Sequence, residues 1–494
     1  MASSQSSKIA RRQRQNNRNC NRLRLSVGEN VDSYRCGVYL HDDVVETIFT
    51  YLPIKECVQI GLVAKKYRRT WRKCRNLTFG REFGAHRADR MWYIHVVSRV
   101  FDLHVGKKIQ TLRLYFDPSS VEHLLDKWVR TSIEKGVEEL DLDIYQGTVP
   151  FGLPTKADEA TLKVLMLNYS VLQMPYNMKA LSSLTTVILK QVDLTARIVE
   201  ALFENCVHLE TFDMSDCYGV RNLRVKAKEH KRFRVLKVGG CQEISSVEID
   251  APRLRCLFYS GVLVRRFQMR EPLLLLDEAI LNLRPSRGLT SPWLVEKLVA
   301  DISRVTVLTI SSTFLEGLAD KIRYGCLRET QFCFPNLMEL QVVMEDPSFA
   351  NVGDIASFIK NCPSLEILFV DLNEYKCEST PYWESLQKPA MDQYMSFLNT
   401  LKFVKIRGFR FTKQDVQLAK FILDRTMFLE RMVLVWPKIR CRQCQGFAHL
   451  HPHEKRLYTQ FLDGWKLSPT AEISLCDQID DLSSYPKHFS KKWC

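Results

Sequence analysis

The 494-residue sequence has no apolar run near the roughly 18–20 residues that a membrane-spanning helix needs. Its longest candidate, Leu273 to Leu276, stops at Asp277 and Glu278. The first residues lack the apolar stretch of a secretory leader and are Ser-, Gln- and Arg-rich instead. Residues 1–24 contain no acid, yet carry Lys8, Arg11, Arg12, Arg14, Arg18, Arg22 and Arg24. Sixteen cysteines show no dense pairing or regular spacing, which argues against a disulfide framework and for small buried hydrophobes in a reducing compartment. The phosphate-cradling Gly-x-x-x-x-Gly-Lys loop, the Gly-x-Ser-x-Gly elbow and the His-Glu-x-x-His pair are all missing. These absences predict an intracellular chain, in nucleus and/or cytoplasm, with no membrane partner and no recognisable catalytic centre.

What is present is ordinary in bulk: 46% hydrophobic and 26% charged residues, with a net charge of +15. The length exceeds one compact core, so two domains or an elongated repeat array is expected. Residues 1–36 are polar, basic and short of aliphatics, and are expected to be a disordered arm. Such an arm reads as a nuclear-import signal or as a solvated tail. Neither stacking motif nor zinc-finger spacing accompanies the charge, so a nucleic-acid partner is not expected.

Residues 37–80 have the spacing of short helices. Apolar side chains at 44, 45, 48, 49 and 52 form one helix face, Asp42 is a suitable N-cap, and Pro53 ends the helix. A second helix is expected over about 54–61, closing at Gly61. A third, strongly basic, is expected from Val63 through Arg72, with Tyr67 and Trp71 as i, i+4 partners. Three helices in so few residues bury little apolar area and would be stabilised by docking on another surface.

The segment resembles an F-box: Leu40, Val44, Ile48, Leu52-Pro53, Val58, Val63-Ala64-Lys65 and Tyr67, followed by Trp71 and Leu77 to Phe79. His41 replaces the usual proline, and Tyr67 stands where tryptophan is common. The resemblance implies a Skp-type adaptor, and through it a cullin, as partners. It assigns the adaptor surface to Leu40, Val44, Ile48, Leu52, Pro53, Val58, Val63, Tyr67 and Trp71. The alternative is that the stripe packs on the following domain and caps it.

From about 105 onward, strand-like segments recur. They include Ile109 to Leu114, Val137 to Leu142, Leu162 to Leu167, Leu184 to Leu189, His208 to Asp213 and Phe233 to Val238. Further copies are Leu254 to Phe258, Val305 to Ile310, Leu337 to Val342, Leu365 to Val370 and Leu401 to Ile406. The markers Leu112, Leu140, Leu165, Val187, Phe212 and Leu236 are 28, 25, 22, 25 and 24 residues apart, the period of leucine-rich repeats. Asn205-Cys206-x-x-Leu209-Glu210 returns as Asn361-Cys362-x-x-Leu365-Glu366, which makes both cysteines buried repeat positions. Longer helices are expected over Trp293 to Ala300 and Gly353 to Lys360, and insertions over 145–158 and 282–292.

Leu401 to Ile406 with Gly408-Phe409, a helix over Gln414 to Arg425, a strand over Leu429 to Trp436, and Ser468-Pro469-x-Ala471-Glu472-Ile473 extend the resemblance to plant F-box/LRR proteins with a C-terminal FBD-type region. The expected fold class is α/β: a short three-helix F-box module followed by a leucine-rich-repeat solenoid. Its divisions are F-box 37–80, solenoid 105–390, FBD-like repeats 391–476 and a tail from 477 to 494.

Cys441 and Cys444, followed by His449, His451 and His453, offer zinc-ligand chemistry, but their spacing is not that of a common finger, so no metal is assigned. Nor is there the run of about eight Cys/His ligands of a self-sufficient RING ligase. No cofactor is expected. The resemblance implies a non-catalytic, substrate-recruiting subunit of a ubiquitin-ligase complex, whose repeats bind a target protein at residues that the sequence does not identify. A repeat scaffold unconnected with ubiquitination is the competing expectation.

Overall fold

A computed structural model describes residues 42–63, 65–84, 90–145, 149–152, 161–173, 181–284, 292–323, 332–345, 350–373, 397–437 and 452–488. The basic arm, Leu40, His41, Cys441, Cys444, His449 and His451 lie outside the described residues. The chain divides into two compact units, Met1–Ile48 and Phe49–Cys494. The described part of the first unit is the start of helix α1 (Asp42–Tyr51).

Helix α2 (Ile54–Val63) follows Pro53, whose fixed backbone suits the break between two helices. The third helix expected over Val63 to Arg72 is not continuous. Lys65–Tyr67 and Thr70–Lys73 are separate 3-10 turns. An α-helix there would stack Lys65 on Arg69 and Arg68 on Arg72, and no acid occurs between Glu56 and Glu82 to offset them. The turns still carry Tyr67 to the ring of Phe49, with centroids 5.3 Å apart.

Twenty strands are described. The first ten are β1 (Asn76–Phe79), β2 (Thr111–Tyr115), β3 (Glu139–Asp143), β4 (Val149–Gly152), β5 (Val164–Asn168), β6 (Ser170–Gln173), β7 (Thr186–Lys190), β8 (Thr211–Ser215), β9 (Asn222–Lys226) and β10 (Val235–Gly239). The rest are β11 (Ser246–Asp250), β12 (Cys256–Val262), β13 (Arg266–Met269), β14 (Glu278–Arg284), β15 (Val307–Ser311), β16 (Glu339–Val343), β17 (Ile367–Asp371), β18 (Phe403–Arg407), β19 (Arg431–Trp436) and β20 (Glu472–Asp477).

Fifteen of them form one parallel sheet in the order β1-β2-β3-β5-β7-β8-β10-β12-β14-β15-β16-β17-β18-β19-β20. Parallel neighbours need a return segment between them, and the repeat period supplies it. β9, β11 and β13 make a second sheet within those returns, and β4 pairs with β6. β1 lies inside the segment read as the helical module, so the long sheet begins before residue 80. At the other end β17, β18, β19 and β20 continue the same ladder across residue 391.

Side chains alternate across each strand, and one face is apolar throughout. Leu112, Leu140, Leu165, Val187, Phe212, Leu236, Leu257, Leu308, Leu340, Leu368, Val404 and Met432 are all buried at the same position of successive strands. The paired strands start two residues later than the leucine pattern suggests. Leu184, Leu337, Leu365 and Leu401 are buried just before the strand, and the residue after each donates the first inter-repeat hydrogen bond. Thr185, Met338, Glu366 and Lys402 thus bond to Lys163, Thr306, Met338 and Glu366 at 2.8–2.9 Å.

Amphipathic helices cover the aliphatic face. Ala196–Asn205 buries Ile198, Val199, Leu202 and Phe203, and the Phe203 ring lies 5.3 Å from both Phe212 and Phe233. Pro292–Ile302, Val352–Ile359 and Lys413–Leu423 stand close to their expected places, and the last two start with capping boxes from Asn351 and Thr412. Cys206 and Cys362 are buried, with Cys206 Sγ donating to the Leu181 carbonyl at 3.2 Å. Burial pushes the Cys206 thiol up to about 12, so it stays protonated. Gly408, after β18, has φ +76°, and a Cβ there would sit 2.6 Å from the Asn373 nitrogen.

Candidate functional site: two interaction surfaces

The helical segment sorts its apolar residues into two sets. In the first unit, Val44 and Ile48 are 46% and 44% exposed on α1, four residues apart and so on one helix face. In the second unit, Val58 and Leu62 repeat that spacing on α2 at 40% and 80%, and Tyr51 is 63% exposed. Phe49, Ile54 and Cys57 are instead buried.

Of the residues expected to meet an adaptor, Val44, Ile48 and Val58 are exposed, while Leu52, Pro53, Tyr67 and Trp71 are half-buried. Leu40 and the Val63 side chain lie outside the described residues. Tyr51 and Leu62 were not among the expected residues. Their signal is helical spacing, three residues after Ile48 and four after Val58.

Half-burial of Leu52 and Pro53 has a structural cause. The Leu52 carbonyl accepts from Cys74 Sγ at 3.2 Å and Cys57 Sγ at 3.7 Å. Pro53 bridges to Asn76, whose Nδ2 donates to the Tyr51 carbonyl at 2.8 Å. The segment from residue 49 onward is therefore fastened to the first strand of the sheet.

The second surface is the sheet face opposite the aliphatic core. One register row runs Arg113, Asp141, Met166, Ile188, Asp213, Lys237 and Phe258 across β2 to β12. All seven are exposed or half-buried. Arg113 pairs with Asp141 at 2.6 Å, and Lys237 with Asp213 at 3.6 Å. Burial pushes the Asp141 carboxyl above its ordinary range, with Arg113 pulling the other way. At the β1 end a cleft of about 650 Å³ is lined by Pro53, Lys55, Arg81, Arg113, Tyr115 and Asp141, among others. Arg81 bonds to Asp143 at 2.9 Å and covers the Tyr115 ring, which stacks on Tyr145 with centroids 4.7 Å apart.

The same row continues as Ile280, Thr309, Gln341, Phe369, Lys405 and Val433 on β14 to β19, and there every member is buried. The cover includes the segment that follows β20. After β20 the chain turns at residues 478–480 and runs back as a strap over 481–488. Lys405 Nζ meets Asp481 Oδ2 at 2.6 Å, donates to the Ser484 carbonyl at 3.1 Å, and faces the Tyr485 ring at 4.1 Å. Lys405 and Asp481 are 1% and 2% exposed. Further along, the Lys487 amide donates to Glu339 at 2.7 Å, and Lys487 Nζ lies 2.6 Å from Glu278. His488 is buried, with Nδ1 2.8 Å from the Thr309 hydroxyl and Nε2 3.2 Å from Glu278. Sequence reasoning read this segment only as a tail.

Among the described residues no three His, Cys, Asp or Glu side chains converge as metal ligands. Nor is any described helix long and apolar enough to cross a membrane.

Comparison with known proteins agrees with this architecture. Residues 100–454 match the family model described as the At1g61320/AtMIF1 LRR domain. At1g61330 of Arabidopsis thaliana, which carries the name of an FBD-associated F-box protein, is 30% identical over 81% of this chain and 90% of its own length. The FBD-associated F-box protein At1g61320, also from Arabidopsis thaliana, is 28% identical over 80% of this chain and 88% of its own. A third Arabidopsis relative, At5g44950, whose name gives F-box, FBD and LRR repeats together, is 25% identical over 80% of this chain and 91% of its own. The chain belongs to the plant F-box/FBD/LRR-repeat proteins, with a leucine-rich-repeat domain of the At1g61320/AtMIF1 type.

Proposed function

We propose that this chain is the target-recruiting subunit of a Skp-cullin-F-box ubiquitin ligase. The F-box residues, Val44, Ile48 and Val58 among them, dock on a Skp-type adaptor that links the chain to a cullin. The face of β2 to β12 holds a target protein for ubiquitination. The chain performs no covalent step itself; it raises the effective concentration of the target beside a conjugating enzyme held elsewhere in the complex.

The observation that carries this reading is the sorting of aliphatics on the short helices. Phe49, Ile54 and Cys57 are buried, whereas Val44, Ile48, Val58 and Leu62 face outward with no need from the fold. Covering such a side chain removes apolar area from water at about 25 cal/mol per Å², up to roughly 1.5–3 kcal/mol each when burial is complete. The F-box names of the relatives point the same way.

The test is co-purification of the full chain with a Skp-type adaptor, beside an Ile48→Asp, Val58→Asp variant. Both positions are exposed, so the variant should melt within a few degrees of the wild type, while a carboxylate placed in an apolar interface abolishes capture. A specific observation favours a second reading. The fastening of residues 49–76 to β1 is what a cap on a repeat array requires. If the folded wild type captures no adaptor, that cap is the segment's whole role and the chain is a binding scaffold.

A further inference from the structure

The face of β14 to β18 has the chemistry of a peptide site with its ligand in place. All three groups around the Lys405 ammonium (Asp481, the Ser484 carbonyl and the Tyr485 ring) come from residues 478–488. Its row neighbours on the sheet, Phe369 and Val433, bring neither a charge nor a hydrogen-bond acceptor in their side chains. At the other end the polarity reverses: Glu278 receives the Lys487 and His488 side chains, and Glu339 accepts from the Lys487 backbone amide. Four strand spacings separate β14 from β18, about 19 Å, and seven extended residue steps reach about 23 Å. A nearly extended segment crossing the strands therefore fits the distance between the two charged ends.

The strap also behaves as a ligand and not as a core element. It forms no strand pairing. Leu482 is 97% exposed and Ile479 66%, so its large aliphatics point away from the sheet. The aliphatic layer below is closed without it: Leu281, Leu308, Leu340, Leu368 and Val404 face the helices on the opposite side.

We propose that this face is a second recognition site, for an extended protein segment that presents a carboxylate to Lys405 and, six to seven residues later, a Lys/His pair to Glu278 with a backbone amide to Glu339. Residues 478–488 are its resident intramolecular ligand, and a target segment of the same chemistry competes with them. This deepens the target-receptor reading and rests on it. It is measured without adaptor, so a failure here leaves adaptor docking standing.

The experiment uses the full chain carrying Asp481→Ala, Lys487→Ala and His488→Ala, and a fluorescent, end-capped peptide of residues 478–488. Fluorescence anisotropy is expected to show saturable binding to this variant, at least tenfold weaker binding to the wild type, and at least tenfold loss when Lys405→Met is added to the variant. A peptide with Asp481→Lys is expected not to bind. If the triple variant does not fold, Lys487→Ala with His488→Ala, which keeps the Lys405 anchor, takes its place. A folded variant that ignores the peptide overturns the proposal, as does binding indifferent to Lys405→Met. Unfolding of both variants makes the strap a fold-completing element and overturns it equally.

Discussion

The two halves of the long sheet share one backbone plan and differ on the face that it presents. From β2 to β12 the row Arg113, Asp141, Met166, Ile188, Asp213, Lys237 and Phe258 is open, its ion pairs partly solvated. From β14 to β18 the corresponding row is buried, and the lysine at its β18 end is neutralised by a carboxylate from 76 positions further along the chain. A repeating core dictates the ladder but leaves the opposite face free, so one array can keep a surface for a partner and fill another with itself. The open half is where the proposed target reading places recognition.

The sharpest way to break this comparison is Asp481→Ala. Removing one partner of a buried ion pair costs about 3–5 kcal/mol where the other charge stays buried, and release of the strap is the alternative that limits the loss. Urea unfolding should show a large drop in midpoint, and hydrogen exchange should show lost protection over 482–488. Replacing the pair as Lys405→Met with Asp481→Leu should restore most of the stability. Next in size, Leu165→Ala and Leu340→Ala should each cost about 2–5 kcal/mol by the same assay, since both open a cavity under the same ladder position. A large inequality between them would mean that the halves differ in their cores as well as on their faces.

Smallest are the effects at the charged residues of the open row itself. Arg113→Ala should change stability by no more than about 1 kcal/mol, as its ion pair is partly solvated. The pH dependence should differ in sign between the halves. Burial raises the Asp481 carboxyl, but the hydrogen bonds from Lys405 and Ser483 outweigh it and hold it below the ordinary range. Its stabilisation is therefore complete above the unfolded value near about 4 and is lost as the pH falls through the folded value. The melting-point gap between wild type and Asp481→Asn should close in acid. Asp141 is raised by burial, so its charged form is a penalty at neutral pH that is relieved as the pH falls through the raised value. Asp141→Asn should melt at or above the wild type at pH 7, and that difference should vanish in acid.

How far the sequence reveals this follows from which contacts are local. Leu-x-x-Leu-x-Leu spacing exposes the ladder, because each repeat buries its own aliphatics; only the strand starts are displaced, since the first leucine packs before pairing begins. β14 escapes the pattern, and its last residues fall within the insertion expected over 282–292, because Ala279 to Leu283 is buried on both faces and shows no alternation. β9, β11 and β13 do alternate, but they lie between the copies that set the period. The third short helix failed where crowded like charges overrode an i, i+4 aromatic pair. At the candidate adaptor surface, the F-box resemblance picks out Val44, Ile48 and Val58 but not Tyr51 or Leu62, and helical spacing alone cannot separate Val44 and Ile48 from buried Phe49. The strap was illegible, since residues 481–488 have no periodicity and every anchor lies far back in the chain.

That distance has a mechanical side. In an array held together by neighbours alone, the last repeat frays first and the loss travels inward one unit at a time. Here His488 touches Glu278, 210 residues back, so the segment that follows β20 is tied to β14. Peeling away β20 requires the clasp to open first, and the stretch from β14 to β20 should come apart in one step where the stretch before it can unravel by degrees.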